Sequence, residues 1–318
     1  RSRGLGDVYK RQMKNILYYI ISICFSVIYI PQIVAAPKEP FSFSASDYYQ
    51  KFIHAIESQN YKWAEYYGTT LLSAYPKSQF STEVCFAMGK MYFVQQKLDL
   101  ANSFFSECIK KEEISKNCNE IFKYKLQIAK EYERGVRRPL FQSKLAPNWS
   151  SGKDESLQIC EEIIMSLPKD DLAAEALFCK SQTLLSKKKY QDSICALEKL
   201  IDRFPSHFLA LEGYIQIGKI YLLQTNKQFP DPDHLELAKI NLDKMQTSFP
   251  DHPKIEELKQ LFNQMESLFA ERLFIVAKHY DVMKKPESAA IYYTAIIQEY
   301  PNTEQAKVSK HLIDARQK

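Results

Sequence analysis

The apolar positions of this chain fall at helical spacing and return in a fixed frame, clearest near the C-terminus. In Pro286-Glu-Ser-Ala-Ala-Ile-Tyr-Tyr-Thr-Ala-Ile-Ile-Gln-Glu-Tyr-Pro301, Ala289, Tyr292, Tyr293, Ile296 and Tyr300 stand at −12, −9, −8, −5 and −1 from the closing proline. Steps of three and four place them on one stripe of a helix. Pro301 ends that helix, because it has no N–H and keeps its predecessor out of helical dihedrals. Asn302 is then expected to cap the next helix, with Gln305 completing a capping box.

The same frame recurs upstream. Ala64, Tyr67, Gly68, Leu71 and Tyr75 precede Pro76, and Ser156, Ile159, Cys160, Ile163 and Leu167 precede Pro168. Ser193, Ala196, Leu197, Leu200 and Phe204 precede Pro205; Ala238, Asn241, Leu242, Met245 and Phe249 precede Pro250. A sixth copy, Ala101, Phe104, Phe105 and Cys108, lacks its proline. Seven positions after the prolines stand Glu83, Glu175, Glu212 and Glu257, and Gly89 and Tyr92 match Gly218 and Tyr221. Two intervals are 37 residues, Ala64 to Ala101 and Pro168 to Pro205, close to the roughly 34-residue unit of tetratricopeptide repeats, the other intervals being stretched by insertions. The short residue at −12 lets two helices approach closely. With eight glycines and no strand-like alternation, the predicted fold is all-α: a right-handed α-solenoid of tetratricopeptide-like helical hairpins.

Along the chain, Ser46 or Asp47 is expected to cap a first helix through Ser58, burying Tyr49, Phe52, Ile53 and Ile56. An N-terminal group of repeats spans 46–134 and a C-terminal group 154–318. Between them, 135–153 reads as a loop or hinge, marked by Gly135, Pro139, Pro147 and Ser150-Ser151-Gly152. A second loop, 225–233, carries Pro230 and Pro232.

The first residues do not belong to this pattern. Residues 1–12 read as foreign, since Asp7-Val-Tyr-Lys-Arg-Gln12 is what one frame of a transposon sequencing adapter encodes, and Met13 is the natural start. Residues 13–36 then read as an export signal: Lys14, an uncharged apolar run from Ile16 to Ile30, and the small residues Val34-Ala35-Ala36. The run is short for a spanning helix of about 20 residues; an uncleaved anchor is the alternative. Cys24 follows Ile23 rather than a small residue, a poor context for lipidation. The foreign start supplies three charges of the net +5 and Lys14 another, leaving about +1 for the exported part. No basic stripe for nucleic acid remains.

Six cysteines follow the signal: Cys85, Cys108, Cys118, Cys160, Cys179 and Cys195. An even number in an exported chain permits disulfides, but Cys108, Cys160 and Cys195 fall on or beside the apolar stripes, where a thiol acts as a small hydrophobe. Free buried thiols are the expectation, with Cys108–Cys118 the local pair to check.

Candidate chemistry is sparse. No nucleophile elbow, P-loop, dinucleotide fingerprint, His-Glu-x-x-His or Cys-x-x-Cys occurs, so neither catalysis, cofactor nor metal is expected. The aligned glutamates read as repeated structural charge pairs. Aromatic residues make up 13% of the chain, most of them wedges between helices. Trp63, Tyr66, Tyr67 and Phe93 are candidates to line a surface that holds an extended peptide, for which aromatic anchors are suited. Arg134, Arg137 and Arg138 could hold an acidic partner segment, the plainer alternative being a solvated loop. For packing between repeats the candidates are Ala64, Ala101, Ala238, Ala289, Gly89, Gly218, Tyr92, Tyr221 and the stops Pro76, Pro205, Pro250 and Pro301.

Several of these residues resemble a known family. Ala277-Lys-His-Tyr280, Ala289-Ala290 and Gln298-Glu-Tyr-Pro-Asn-Thr303 resemble the C-terminal repeat of the BamD family of outer-membrane assembly lipoproteins. Leu235-Glu-Leu-Ala238 to Ser248-Phe-Pro250 is similar to the preceding unit, and Asn60-Tyr-Lys-Trp-Ala64 to Ala74-Tyr-Pro-Lys-Ser78 to the first. The resemblance covers about half the chain. It implies a non-enzymatic periplasmic scaffold at the inner face of a Gram-negative outer membrane. Its implied partners are the barrel-inserting subunit and unfolded β-barrel substrates, with room for peripheral contact with the membrane. Trp63, Tyr66 and Tyr67 fall where the family meets substrate segments. The chain departs from the family in lacking a good lipidation site, and in carrying Tyr292 where the last unit commonly has an arginine. A periplasmic adaptor of another envelope system, such as cell-wall or division coordination, is the alternative.

Overall fold

The computed structural model describes residues 43–110, 118–138, 150–225 and 231–317. The segments read as a foreign start (1–12) and as an export signal (13–36, with Cys24), and the loop residues Pro139, Pro147 and Pro230, lie outside the described residues. The chain divides into two compact units between Phe80 and Ser81.

The first unit is a hairpin of α1 (Ala45–Glu57) and α2 (Tyr61–Ala74). Its cap is Ser44 rather than Ser46 or Asp47. The Ser44 hydroxyl accepts from the Asp47 N–H at 3.2 Å, and the Asp47 carboxylate accepts from the Ser44 N–H at 2.9 Å, a complete capping box. Helix α1 therefore starts earlier than expected and buries Tyr48, Phe52 and Ala55, while Tyr49, Ile53 and Ile56 are half-buried.

The second unit runs α3 (Ser81–Val94), α4 (Leu98–Ile109), α5 (Cys118–Glu133), β1 (Arg137–Arg138), β2 (Ser150–Ser151) and α6 (Lys153–Ser166). It continues through α7 (Asp171–Ser186), α8 (Tyr190–Arg203), α9 (Phe208–Thr225), α10 (Asp233–Ser248), α11 (Lys254–Val282), α12 (Pro286–Glu299) and α13 (Glu304–Gln317). Each helix packs on the next. In addition α5, α7, α9, α11 and α13 pack in turn on one another. Hairpins stacked in sequence order, with their first helices in a row, make this unit a helical solenoid. Within the segment read as a loop or hinge, β1 and β2 form a two-residue antiparallel ladder, Arg137 opposite Ser151 and Arg138 opposite Ser150. The ladder is too short to leave an alternating pattern in the sequence. Helices α5 and α6 pack directly across it.

The frame read from the sequence is a packing frame. Its −12, −8 and −5 positions are buried in all six copies, from Ala64, Gly68 and Leu71 to Ala289, Tyr293 and Ile296. Where −12 is serine, the approach is close enough for its hydroxyl to reach the neighbouring helix backbone: Ser156 donates to the Ala129 carbonyl and Ser193 to that of Ser181, both at 2.8 Å. The two matched glycines serve the same need. A Cβ on Gly89 would stand 2.6 Å from the Phe105 ring, and one on Gly218 2.4 Å from Leu258. Tyr92 and Tyr221 are buried, as are Ala101 and Ala238.

The proline stops act through the residue before them. Tyr75, Leu167, Phe204, Phe249 and Tyr300 share φ between −126° and −136° and ψ between 53° and 64°, outside the helical region as a following proline demands. Pro76, Pro205, Pro250 and Pro301 themselves are exposed. After Pro301 the cap is Thr303 rather than Asn302: the Thr303 hydroxyl accepts from the Ala306 N–H at 3.3 Å. Helix α13 begins one residue later than the capping-box reading placed it.

The three helices that close the unit meet at Tyr293. Its ring is fully buried, and its hydroxyl donates to Asp281 Oδ2 at 2.8 Å. Burial, with the hydrogen bond and charge of Asp281 added, pushes this phenol up to about 12, against about 10 in an unfolded chain. A raised folded value means stability that is complete below pH 10 and lost as pH rises towards 12. Denaturant midpoints measured from pH 9 to 12 should fall, and fall less in Tyr293→Phe. An equal fall in both proteins would show that Tyr293 does not contribute to it.

Candidate functional site

A groove opens in the second unit along the row of first helices. It is lined by Lys130 and Glu133 of α5 with Arg134 just after it, by Glu175, Phe178, Cys179 and Gln182 of α7, and by Phe208 and Leu209 at the start of α9. Its volume is about 380 Å³. The charged groups are mostly paired: Lys130 Nζ to Glu175 at 2.6 Å and Arg134 to Glu131 at 2.7 Å. The apolar ones are not fully covered. Phe178 is half-buried and Phe208 is 67% exposed, with its ring 4.6 Å from His207. A second hollow of about 440 Å³ lies between α9 and α11, lined by Leu222, Leu268, Asn263, Gln264, Ser267 and Glu271.

Three of the four aligned glutamates join first helix to first helix. Glu175 pairs with Lys130, Glu212 with Lys254, and Glu257 with Lys219 at 2.9 Å. The repeated position therefore ties adjacent repeats together along the row that carries the groove.

In the first unit, Trp63, Tyr66 and Tyr67 do come together. The Trp63 ring stacks on Tyr67 at 5.5 Å and 23° and meets Tyr66 edge-on at 5.7 Å. Trp63 is 51% exposed, and Tyr67 leans on Tyr48 at 6.5 Å. Lys51 Nζ stands 5.7 Å from the Tyr67 ring and 3.3 Å from that of Phe43. The cluster is a helix-borne aromatic shelf with a cation at its edge. Phe93 is not part of it: half-buried in the second unit, it meets Tyr124 edge-on at 5.3 Å.

The arginines separate into different roles. Arg134 lines the groove, and Arg137 is exposed. Arg138 is not available to an acidic partner. Its guanidinium is spent on Asp99 at 2.6 Å and Glu155 at 2.8 Å within the fold, and these two carboxylates raise its already high pKa against the opposing effect of burial. Sequence reasoning missed Phe178, Gln182 and Phe208. Their signal, apolar or amide side chains on first helices but off the packing stripe, was present but unremarkable.

None of the six described cysteines is in a disulfide. Cys195, expected on or beside a stripe, is exposed; Cys108 donates to the Thr82 carbonyl at 3.7 Å. Burial, and Cys108 nearby, push the Cys118 thiol up. Among the described residues no three His, Cys, Asp or Glu side chains converge to hold a metal. No described helix is long and apolar enough to cross a membrane.

No protein-family model and no curated protein matches the chain. Among solved structures it is similar to the C-terminal part of a tetratricopeptide-repeat protein from Cytophaga hutchinsonii, at 15% identity over 84% of this chain and 87% of that one, with a TM-score of 0.38. It is also similar to a tetratricopeptide-repeat protein from Parabacteroides merdae, at 13% identity over 85% and 97%, with a TM-score of 0.35. A third is the pilF protein of Pseudomonas aeruginosa, at 12% identity over 84% and 96%, with a TM-score of 0.32.

Proposed function

We propose that this chain is a non-enzymatic scaffold of the Gram-negative periplasm. It acts at the inner face of the outer membrane in β-barrel protein assembly, in the manner of the BamD family. The observation that carries the reading is the groove on α5, α7 and α9. Its charges are mostly paired, while Phe178 and Phe208 present apolar surface. Such a lining suits an extended segment with spaced apolar side chains, and a strand of an unfolded barrel protein is such a segment. The exposed Trp63 shelf offers a second anchor of the same character. The specific assignment to barrel assembly rests on the resemblance of residues 60–78, 235–250 and 277–303. Tyr292, which replaces the family's arginine, stacks on Tyr280 at 5.4 Å, so contact with the barrel-inserting subunit at this point would be aromatic rather than ionic.

Fluorescently labelled peptides copied from barrel strands should bind the purified chain. Phe208→Ala should weaken them about tenfold, the effect of losing one apolar anchor, while the circular dichroism stays unchanged because the ring is exposed. Equal affinity for Phe208→Ala and the parent would remove the groove from the argument. Capture from envelope extracts should recover the barrel-inserting subunit; recovery of cell-wall or division proteins instead would replace barrel assembly with the adaptor alternative.

A further inference from the structure

Two thiols from facing helices meet beneath the groove. Cys160 occupies the −8 position of α6 and Cys179 lies on α7, and both are buried. The two thiols interact with each other, and each also interacts with Ser156. Ser156 stands one helical turn before Cys160 on the same face; its Oγ lies 3.9 Å from Cys179 Sγ and 3.2 Å from Thr183 Oγ1. Cys179 also lines the groove, and Cys160 does not.

We propose that Cys160 and Cys179 are a redox-active dithiol that closes to a disulfide joining α6 to α7, taking as oxidant a small disulfide such as oxidised glutathione. The Cys179 thiolate attacks one sulfur of the incoming disulfide, forming a mixed disulfide and releasing one thiolate. Cys160 then loses its proton and attacks the Cys179 sulfur, displacing the second thiolate. Two protein thiols are oxidised and one disulfide is reduced to two thiols, with no other reactant. The order of attack follows from access: Cys179 lines the groove, whereas Cys160 does not and is fully buried.

The inference stands apart from the partner reading, since its test contains no partner. The reduced full chain is equilibrated at stepped ratios of reduced to oxidised glutathione, quenched in acid, alkylated and analysed by peptide mass spectrometry. Two thiols should disappear together as a Cys160–Cys179 cross-linked peptide. The thermal midpoint should rise by about 5 °C, the scale of a bridge closing a loop of about 20 residues. Cys160→Ser should stop at a glutathione adduct on Cys179, and Cys179→Ser should leave Cys160 a thiol. The parent alone decides the matter if either variant folds poorly. Exposed Cys195 serves as an internal standard. Recovery of Cys160 and Cys179 both as thiols, at a ratio where Cys195 carries glutathione, would overturn the proposal, as would a bridge from either to a different cysteine.

Discussion

Tyr293→Ala is expected to destabilise the second unit by about 4 kcal/mol, in the range for deleting a fully buried aromatic ring, and to do so locally. The Tyr293 ring is packed edge-on against Phe274 at 5.6 Å, with the Arg316 guanidinium 5.3 Å from its centroid. Arg316 in turn donates to both oxygens of Asp281 at 2.6 Å, so α11, α12 and α13 are joined at this one place. In a stack where each hairpin touches only its neighbours, a loss at one end does not spread evenly. Hydrogen exchange should therefore accelerate across α12, α13 and the last turns of α11 while α3 to α8 keep their protection. Tyr293→Phe, which keeps the ring and loses one hydrogen bond, should cost about 1 kcal/mol. Ile291→Ala, on the exposed face of the same helix, should stay within about 0.5 kcal/mol. Uniform loss of protection through the unit would mean that its hairpins unfold as one body and that the nearest-neighbour description is wrong.

The hairpin frame was legible because it depends on two signals that a single chain displays: a small residue every time two helices nearly touch, and a proline every time a helix must stop. The turns inside the hairpins were much less so. Gln59, Gln96, Lys188 and Lys284 adopt φ between 55° and 60°, a region that normally selects glycine or asparagine. The N–H after each closes back on a carbonyl five residues earlier, as Lys97 does to Tyr92 and Lys189 to Leu184, both at 3.0 Å. Because long polar side chains occupy these positions, nothing in their type marks the turn. The caps were misplaced by one to three residues for a related reason: Ser44, Ser46 and Asp47, like Asn302 and Thr303, are all competent cap residues, and geometry alone chooses among them. At the candidate site, Arg134 and the aromatic shelf followed from residue type. Phe208 did not, since a single aromatic at the start of a helix has no pattern to belong to. The inward role of Arg138 and the polar seam on α4 are hidden in the sequence for one reason. A charged residue in an irregular stretch reads as solvated, and only the fold shows that Asp99, Asn102 and Ser106 lie on one face of α4 and turn inward.

That seam leads to the second large effect: Lys125→Ala should cost about 3 kcal/mol, whereas Lys125→Met should cost less than about 1.5 kcal/mol. Lys125 of α5 has no exposed side-chain surface. Its ammonium donates to Asn102 Oδ1 at 2.8 Å and Ser106 Oγ at 2.6 Å on α4, and pairs with Glu162 on α6 at 2.9 Å. Asn102 passes the contact on to Glu155 at 2.9 Å, Glu155 to Arg138, and Arg138 to Asp99, which also accepts from Tyr132 at 3.0 Å. This is the repeat that lost its proline stop, and here polar side chains hold α4, α5 and α6 together. Burial lowers the Lys125 pKa more than Glu162 raises it. The folded value is thus below the unfolded one, and the charged amine detracts from stability at neutral pH. That penalty begins to lift as pH rises through the folded value and is gone above about 10.4, the ordinary lysine value. Methionine keeps the volume of the stem and removes both the charge and its desolvation, and Glu162, whose side chain is 34% exposed, is left where water can solvate it. Alanine removes the stem as well and leaves a cavity beside Asn102 and Ser106. Urea unfolding of the parent and both variants at neutral pH separates the two contributions. If methionine proves as damaging as alanine, the ammonium itself holds the seam, and packing of the lysine stem is the lesser part.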